Sequence, residues 1–218
     1  MIFADRAEAG RKLAGLLAPY ETEQPILYAL PRGGVAVAAE VARALKAPLE
    51  LLLVRKIGVP WQPELAMGAV VDGNKPIIVR NAEVLSVTGV GEREFEEICS
   101  RELAEIGRRR QLYLGARKWL DPKGRVAIVI DDGIATGSTV TAALRAIRLH
   151  EPRKLVLAVP VAPRDAVEKL RAEADDVICP VTPDDFGAIG FFYRNFRQLN
   201  DEDVISLLAS TAAPLASK

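Results

Sequence analysis

The sequence predicts an α/β protein built around a parallel β-sheet. Of its 218 residues, 50% are hydrophobic and 27% are charged, which is enough apolar material for one domain with a sizeable core. Short apolar runs alternate with helical patterns twice, first over residues 26–54 and again over residues 125–179. Strands that alternate with helices pair in parallel, and the crossover that joins them is right-handed. We therefore expect a central parallel sheet covered by helices.

The first βαβ unit is expected near the N-terminus. Residues 5–18 carry apolar side chains at helical spacing, and Asp5 is placed to cap the first turn. The apolar run 26–30 indicates a strand, and residues 35–45 indicate a helix with one buried face. The next run, 49–54, is almost continuously apolar, as expected of a strand that is covered on both sides.

The centre of the chain has weaker patterns. Residues 55–90 are rich in glycine and proline and contain two short candidate strands, at 67–72 and 76–79. We interpret residues 61–66 as a flexible segment. Residues 91–115 show the longest helical pattern in the sequence.

Regular alternation returns in the last part of the chain. The expected elements are strand 125–130, loop 131–139, helix 140–149, strand 154–161, helix 164–174 and strand 176–179. Residues 182–197 then interrupt the pattern with aromatic side chains, among them four of the six phenylalanines of the chain.

Composition excludes several classes of function. Lys+Arg 29 and Asp+Glu 29 balance, so no strongly basic surface indicates nucleic acid or a membrane, and any anion site must be local. Cys99 and Cys179 are too few for a disulfide framework, and His150 alone excludes zinc sites that need two imidazoles. Asp5 interrupts the N-terminus before a signal core forms, and the apolar stretch 155–162 is too short to span a bilayer. We expect a soluble cytoplasmic protein with no nucleic-acid or membrane partner.

The strongest functional motif is the stretch 126–139, which reads VAIVIDDGIATGST. Asp131 and Asp132 stand at the carboxyl end of a buried strand, where open α/β sheets bind ligands. Ionised carboxylates only accept hydrogen bonds, so an adjacent pair suits vicinal hydroxyls or a hydrated cation. A phosphate cradle follows in residues 136–139, because the free backbone N–H groups and hydroxyls of a helix start bind anions. Together these features suit a ribose 5-phosphate.

Two other interpretations of this motif compete with a ribose-phosphate site. A nucleoside-triphosphate P-loop would need a Gly-Lys-Ser/Thr sequence, which is absent from residues 126–139. A capped strand-to-helix turn without a ligand would also use Asp, Thr and Ser. The combination of a diacid and a phosphate cradle favours the ligand site.

A second loop occupies the same position after the first strand. Pro31, Arg32, Gly33 and Gly34 precede the helix 35–45 and form another anion site, in which a guanidinium can grip two phosphate oxygens. Taken alone, this sequence is a common turn. Beside the first loop it indicates a sugar that is phosphorylated at both ends.

Residues 126–139 resemble the ribose-phosphate loop of type I phosphoribosyltransferases, in which apolar residues, two acids and three further residues precede Thr-Gly-Ser/Thr-Thr. The layout is similar over about residues 26–180, and it is closest to the bacterial "predicted phosphoribosyltransferase" group. The resemblance implies an α/β, parallel-sheet type I phosphoribosyltransferase-like (Rossmann-like) core with a small hood subdomain. Its expected extents are a single domain over 1–218, a core over about 20–180, a flexible-loop and long-helix insertion over about 55–118, and a C-terminal hood over about 181–200.

The resemblance implies a magnesium-dependent enzyme that transfers the 5-phosphoribosyl group from 5-phosphoribosyl-1-pyrophosphate to a nitrogenous base. Magnesium would be held indirectly through the ligand, with Asp131 and Asp132 as candidate contacts. The implied ribose-phosphate residues are Asp131, Asp132, Gly133, Ala135, Thr136, Gly137, Ser138 and Thr139. The implied pyrophosphate residues are Arg32, Gly33, Gly34, Arg55 and Lys56, and the family often has a non-proline cis peptide in the loop that contains the first three. Arg32 and Lys56 are the candidate catalytic residues.

Residues after the second strand are candidates to neutralise the leaving group. Family members close a loop from this region over the pyrophosphate, which excludes water from a reactive cationic sugar. Arg55 and Lys56 suit that role, and they also fit ordinary charged residues at a strand end. Glu64 is a candidate to hold this loop or magnesium.

The aromatic segment corresponds in position to the hood that holds the acceptor base in several branches of the family. Phe186, Ile189 and Tyr193 are candidates to stack on a flat ring, or they form the small core of a subdomain. Ala135 stands where hypoxanthine–guanine members have an aspartate that exchanges a proton with the purine. His150 is interpreted as a surface residue.

Two alternatives to a transferase stay open from the sequence. One is a sensor that binds the phosphorylated sugar or a nucleotide without turnover, since a fold and a binding loop do not guarantee catalysis. The other is a nucleotide hydrolase or phosphorylase that uses the same pocket. We expect a homodimer, although nothing in the residues identifies the oligomeric state or the acceptor base.

Overall fold

The computed structural model describes residues 2–73 and 75–211 as two β-sheets surrounded by helices. In chain order the elements are α1 (Arg6–Leu17), β1 (Ile26–Ala29), α2 (Gly33–Leu45), β2 (Leu49–Leu51), β3 (Val54–Val59), β4 (Gln62–Val71), β5 (Ile77–Arg80), α3 (Ala82–Thr88), α4 (Glu92–Leu114), β6 (Val126–Ile130), α5 (Ser138–Arg148), β7 (Lys154–Ala158), α6 (Arg164–Leu170), β8 (Asp176–Ile178) and α7 (Asp201–Thr211). Two 3-10 helices cover Ala18–Glu23 and Ile189–Phe192.

The central sheet is parallel, which confirms the predicted fold class. Its five strands lie in the order β2-β1-β6-β7-β8. Ala29 of β1 is in register with Leu51 on one side and with Ile130 on the other. From β1 the chain moves outward to β2, and from β6 it moves outward in the opposite direction to β7 and β8. The gap between β1 and β6 is therefore the topological switch point of the sheet.

Each strand of the switch point is buried on both faces, and this explains its continuous apolar sequence. Successive side chains of a strand point to opposite faces. Leu27 accordingly packs in one core cluster, with α1, α2 and α7, whereas Ile26 packs in the other, with α5 and α6. At the start of the first layer Asp5 caps α1, since its Oδ1 accepts a hydrogen bond from Glu8 N at 2.8 Å. That cap confirms the prediction for the N-terminal helix.

The second sheet is antiparallel, with strand order β3-β4-β5. The prediction of one strand over 49–54 is wrong, because the chain leaves the central sheet after β2. Leu52 N still donates to Ala29 O, but Leu53 N donates to Asp72 Oδ1 at 2.7 Å, beside the end of β4. Residues 62–66, expected in a flexible segment, belong to β4 and continue the hairpin with β3.

Helices α3 and α7 occupy segments for which no element was predicted, whereas α4 confirms the long helix expected over 91–115. Asn81 caps α3, accepting a hydrogen bond from Val84 N at 3.2 Å. Helix α7 buries Val204 and Leu208 in the same core cluster as α2. Both helices are short and have few buried residues, so their sequences show little periodicity.

The aromatic segment (residues 186–196) is hydrogen-bonded to the N-terminal residues of the chain. Phe3 N donates to Phe192 O at 2.8 Å, and Arg194 N donates to Phe3 O at 2.8 Å. Phe3 and Tyr193 are buried together in a third, small core cluster, with Phe186, Ile189 and other side chains around it. This packing places the aromatic segment beside the loop that follows β6.

Among the residues that the structure describes, no helix is long and apolar enough to cross a membrane.

Candidate active site

Two loops meet at the switch point of the central sheet. The Arg-Gly-Gly loop (residues 30–34) follows β1, and the diacid loop (residues 131–137) follows β6. They start side by side, since Leu30 N donates to Ile130 O at 2.9 Å. Each loop leads directly into a helix, α2 or α5, and neither helix has an acidic residue in its first turn. Two helix N-termini therefore meet at one crevice. The first amides of α5 have no acceptor among the described residues, whereas at α2 the amides of Gly34 and Val35 donate to Leu30 O and Arg32 O.

The glycines of the Arg-Gly-Gly loop touch the diacid loop. A Cβ atom at Gly33 would lie 1.9 Å from Asp132 Oδ2, and one at Gly34 would lie 2.7 Å from Ile130 O. Real atoms do not approach this closely, so a side chain at either position would force the two loops apart. The peptide bond between Pro31 and Arg32 is cis, as the resemblance implied.

The diacid loop and the start of α5 enclose a cavity of about 190 Å³. Its lining consists of Asp131, Gly133, Ile134, Ala135, Thr136, Gly137, Ser138, Thr139, Val140 and Ile189. Gly137 has φ +80°, a left-handed conformation that costs glycine little, and it precedes the first helical residue, Ser138. The hydroxyls of Thr136 and Ser138 lie 3.5 Å apart beside this turn. Hydroxyls and free amide groups thus surround a space suited to a phosphate.

The two acids of the diacid loop have different surroundings. Asp131 lines the cavity, and its Oδ1 accepts a hydrogen bond from Asp132 N at 2.8 Å. Burial raises the pKa of Asp131 well above its ordinary value, and the neighbouring carboxylate of Asp132 raises it further. Asp132 is only 8% exposed, and its Oδ2 accepts a hydrogen bond from Arg6 Nε at 2.7 Å. Asp131 therefore faces the cavity, whereas the Asp132 carboxylate lies against Arg6 and Gly33.

Arg6 is the site residue that sequence reasoning missed. It lies at the start of α1 and pairs with Asp132 across 126 residues of chain. Its Nη1 donates to Arg197 O at 2.8 Å, and its guanidinium carbon lies 3.9 Å from the centre of the Phe196 ring. A lone arginine beside a helix cap has no local pattern that indicates such a partner. Only the pairing of the N-terminus with the aromatic segment brings it here.

Arg32 lies on the Arg-Gly-Gly loop and faces the start of α7. Its Nη1 is 3.8 Å from Asp201 Oδ1, and the side chain is 37% exposed. Asp201 also accepts a hydrogen bond from the Tyr113 hydroxyl at 2.6 Å. Burial, and then the hydrogen bond to Asp201 and the charge of Asp201, raise the pKa of Tyr113 to about 12. Arg32 is thus loosely held by Asp201, and it lines neither of the cavities beside the diacid loop.

Lys56 reaches the other side of the diacid loop. It shares a cavity of about 700 Å³ with Thr136 and Ser138, and Glu64 lines the same space. Lys56 makes no ion pair with any residue that the structure describes, unlike Arg145 in the same wall, which is bound by Glu173. The structure therefore brings Lys56 to the diacid loop as an available cation.

Arg55 is not brought to the two loops. Neighbouring residues on a strand point to opposite faces, and Arg55 Nε donates to Glu102 Oε2 of α4 at 2.6 Å. The assignment of Arg55 to the pyrophosphate is thus opposed by this ion pair.

The three candidate base-stacking residues separate into two groups. Ile189 lines the cavity of the diacid loop, where its Cγ2 would lie 2.7 Å from a Cβ atom at Gly133. Phe186 is half-buried, and its ring stacks on Phe192 at 5.4 Å between centroids. Tyr193 is 5% exposed, its hydroxyl donates to Asp132 O at 2.5 Å, and burial raises its pKa. Tyr193 is therefore a core residue of the aromatic segment and offers no free ring face.

His150 and Cys99 are both at least half-buried. The His150 ring stacks on Trp119 with centroids 4.6 Å apart, and its Nε2 is buried with no hydrogen-bond partner among the described residues, so His150 is half-buried and not fully exposed on the surface. Cys99 is buried in α4, and this burial raises the pKa of its thiol, as expected for an unreactive cysteine.

Known proteins resemble this chain over most of its length. Residues 4–196 match the family described as phosphoribosyl transferase domain. Proteins from two strains of Mycobacterium tuberculosis, each named "Putative phosphoribosyl transferase", are 44% identical to the chain over 207 residues. This match covers 95% of the chain and 46% of each relative, so the chain spans about half the length of these curated relatives. The crystal structure of TT1426 from Thermus thermophilus is 41% identical, with a TM-score of 0.85 over 98% of this chain and 100% of that chain.

Proposed function

This chain belongs to the phosphoribosyl transferase domain family, and from that premise we propose that it transfers the 5-phosphoribosyl group from 5-phosphoribosyl-1-pyrophosphate to a nitrogenous base and releases pyrophosphate. The observation that carries the proposal is the meeting of two helix N-termini at one crevice, with the Asp131 carboxylate between them. Two anion sites separated by a hydrogen-bond acceptor match a sugar that has a phosphate at one end and a diphosphate at the other.

The 5-phosphate is assigned to the cavity at the start of α5. The amide groups of Ser138 and Thr139 belong to the first helical turn and have no acceptor in the helix, so a phosphate oxygen satisfies them. The hydroxyls of Thr136 and Ser138 add donors. Asp131 lies in the same cavity and accepts hydrogen bonds from ribose hydroxyls. Such donors favour the ionised carboxylate and oppose the burial that raises its pKa.

The pyrophosphate is assigned to the Arg-Gly-Gly loop. Gly33 and Gly34 let this loop lie directly against the diacid loop, and Arg32 supplies a planar guanidinium that can bind two oxygens at once. Lys56 approaches the diacid loop from the opposite wall as a second cation. When the bond from C1 to the pyrophosphate oxygen breaks, negative charge grows on the leaving group, and prearranged cations stabilise that charge.

Magnesium fits this site as an ion that arrives with the ligand. The described residues contain no group of three or more His, Cys, Asp or Glu side chains that could hold a metal by themselves. Mg²⁺ is commonly held by one or two carboxylates together with substrate phosphates, and Asp131 provides one such carboxylate at the cavity. When bound, the ion would neutralise charge on the pyrophosphate.

The acceptor base is assigned to the side of the cavity that Ile189 covers. Ile189 supplies an apolar surface against the diacid loop, and Phe186 and Phe192 pack around the same small core cluster as Ile189. Ala135 lines the cavity without a group that can move a proton. A nitrogen of the base would attack C1 from this side as the pyrophosphate leaves.

The test is turnover of 5-phosphoribosyl-1-pyrophosphate with a panel of purine and pyrimidine bases in the presence of Mg²⁺, with pyrophosphate release as the readout. We expect release that depends on one class of base. Lys56→Gln should slow it, whereas Lys169→Gln, at an exposed lysine of α6, should not. Tight binding without release would indicate a sensor, and release that is independent of any base would indicate a hydrolase.

A further inference from the structure

A buried ion pair lies immediately behind the Arg-Gly-Gly loop. Arg6 and Asp132 have side chains that are 11% and 12% exposed, and Arg6 Nε lies 2.7 Å from Asp132 Oδ2. The pair belongs neither to the phosphate cavity of the diacid loop nor to the wall that contains Lys56. Its two residues are distant in the chain, since Arg6 begins α1 and Asp132 follows β6.

Asp132 is held against the loop that the proposed function assigns to pyrophosphate. The position of a Cβ atom on Gly33 would be 1.9 Å from Asp132 Oδ2, so the carboxylate touches the backbone of that loop. A charge without a partner at a buried site acts over several ångströms, because the surroundings screen it poorly. An unpaired Asp132 would therefore repel a diphosphate bound at Gly33 and Gly34. Arg6 is the cation that balances it.

The guanidinium of Arg6 is fixed by three different contacts. Besides the bond to Asp132, its Nη1 donates to Arg197 O at 2.8 Å, and its plane lies over the Phe196 ring at 3.9 Å. Arginine is suited to such a position because its planar fork can bond in two directions and stack at the same time, which a lysine ammonium cannot do. The pair is thereby joined to the aromatic segment.

The backbone of Asp132 is joined to the aromatic segment as well. The Tyr193 hydroxyl donates to Asp132 O at 2.5 Å, and the Tyr193 ring stacks on Phe196 with centroids 5.1 Å apart. One aspartate thus contacts the Arg-Gly-Gly loop, the first helix and the aromatic segment. Asp132 Oδ2 is thus bound by Arg6, and Asp132 is absent from the lining of the cavity that Asp131 faces.

We propose that Arg6 is a positioning residue for pyrophosphate binding: it neutralises and holds Asp132 behind Gly33, so that the Arg-Gly-Gly loop accepts a diphosphate while Asp131 alone faces the ribose. This role rests on the proposed function, because it needs an anion at the Arg-Gly-Gly loop. It assigns the two adjacent acids to separate tasks. Arg6 itself touches no reacting atom.

The test is a binding cycle with inorganic pyrophosphate and with 5-phosphoribosyl-1-pyrophosphate, measured by calorimetry with Mg²⁺. The variants are Arg6→Gln, Asp132→Asn and the double variant, and Arg11→Gln at an exposed position of α1 is the matched control. We expect Arg6→Gln to weaken pyrophosphate binding about tenfold or more, and the control to stay within about threefold of the wild type. Asp132→Asn leaves Arg6 without its counter-charge and should bind pyrophosphate at least as tightly as the wild type.

The double variant distinguishes the effect of an unpaired Asp132 charge from the loss of the packing contacts that Arg6 makes. Removal of the Asp132 charge in the Arg6→Gln protein should restore pyrophosphate affinity to within about threefold of the wild type, although the contacts to Arg197 and Phe196 are still missing. If the double variant binds as weakly as Arg6→Gln, Arg6 acts by packing alone and the proposal is overturned. Wild-type affinity in a folded Arg6→Gln protein overturns it too.

Two further outcomes are distinct. If Arg6→Gln does not fold, Asp132→Asn decides: affinity equal to or above that of the wild type supports the proposal, and a tenfold loss shows that Asp132 itself contacts the ligand and overturns it. If the wild-type protein binds neither pyrophosphate nor 5-phosphoribosyl-1-pyrophosphate, the proposed function is wrong, and the role of Arg6 in pyrophosphate binding fails with it.

Discussion

Gly33 and Asp132 are in direct contact, although they belong to different loops and lie far apart in the sequence. The backbone of Gly33 leaves space for the Asp132 carboxylate that even a single methyl group would occupy, at 1.9 Å from Oδ2. The carboxylate in turn binds Arg6. The first prediction follows from this contact.

Gly33→Ala should destabilise the protein by about 1–3 kcal/mol, as overpacking does in a filled site, and should weaken pyrophosphate binding because the two loops separate. Gly15→Ala is the matched control: Gly15 lies in α1, and a Cβ atom there meets nothing within 4 Å. That change should raise stability by up to about 1 kcal/mol through helix propensity. Chemical denaturation and calorimetry measure both effects, and a Gly33→Ala protein as stable as the wild type would show that the contact is absent.

Asp131→Asn should weaken the binding of ribose 5-phosphate. Loss of a charge-assisted hydrogen bond to a ribose hydroxyl costs about 1.5–3 kcal/mol, which corresponds to a rise in Kd of about tenfold to a hundredfold. Asp165→Asn, at an exposed position of α6, serves as the control and should leave Kd unchanged. Normal affinity in a folded Asp131→Asn protein would place the ribose elsewhere.

Gly137→Val should greatly weaken ribose 5-phosphate binding, whereas it should lower the free energy of unfolding only moderately. Gly137 has φ +80° and a Cβ atom would meet no atom closer than 3.7 Å, so the structural cost is the left-handed backbone, about 1–2 kcal/mol. The side chain would start beside Ile134 and Leu170, and the strained turn would move the amide groups of Ser138 and Thr139 away from the phosphate. Gly89→Val has a similar backbone, with φ +67° at the end of α3, and should show the stability loss without the binding loss. Equal binding by the two variants would contradict the cradle.

Asp72 should give the stability of the protein a distinct pH dependence. Burial raises the pKa of Asp72 from 3.8 to about 6, against the opposing charge of Arg110, whose Nη1 lies 2.9 Å from its Oδ2. The folded state thus binds the proton more tightly than the unfolded chain. This stabilisation is fully present below pH 3.8 and is lost as the pH rises through about 6.

The size of that effect is at most about 3 kcal/mol, from about 1.4 kcal/mol per pKa unit. In Asp72→Asn the free energy of unfolding should lack this decline with rising pH, whereas Asp165→Asn should retain it. Urea denaturation at several pH values gives the slopes. Parallel curves for the wild type and Asp72→Asn would show that Asp72 does not titrate in this range.

The acceptor specificity should reflect Ala135. This residue lines the cavity of the diacid loop and cannot exchange a proton with a purine ring, and positioned acid–base catalysis contributes about 10²–10⁴ in rate. We expect poor turnover of hypoxanthine and guanine relative to other bases at matched concentration, and a gain with these two bases in Ala135→Asp. Efficient formation of inosine or guanosine monophosphate by the wild-type protein would mean that another group supplies the proton.

Local sequence was sufficient for the elements that position the site. The strands at 26–29 and 126–130 are buried on both faces and read as continuous apolar runs, and a glycine-containing loop and a helix follow each of them. Helices α2 and α5 begin at Gly33 and Ser138, directly after the loops that contain the candidate site residues. Such features depend on residues that are neighbours in the chain, and a parallel sheet brings their carboxyl ends to the same edge.

Local sequence was not sufficient where the chain changes sheets or layers. The apolar run 49–54 has no periodicity that shows where it leaves the central sheet, since both parts of it are buried. The separation occurs beside Asp72, whose carboxylate accepts the amide hydrogen bond of Leu53 from the far end of β4. Likewise, the partner of Arg55 is a glutamate on α4 that no pattern near the strand indicates.

By itself, therefore, the sequence determined the α/β class, the two glycine-containing loops that precede α2 and α5, and the diacid, because each rests on backbone geometry and side-chain chemistry within a few residues. The tertiary structure alone decided which of the two acids faces the cavity. Asp131 and Asp132 are identical in type and adjacent, and they differ only because α1 brings Arg6 to one of them and Gly33 leaves room for its carboxylate. Contacts between residues that are distant in the chain depend on how the layers pack, and the periodicity of the sequence does not indicate that packing.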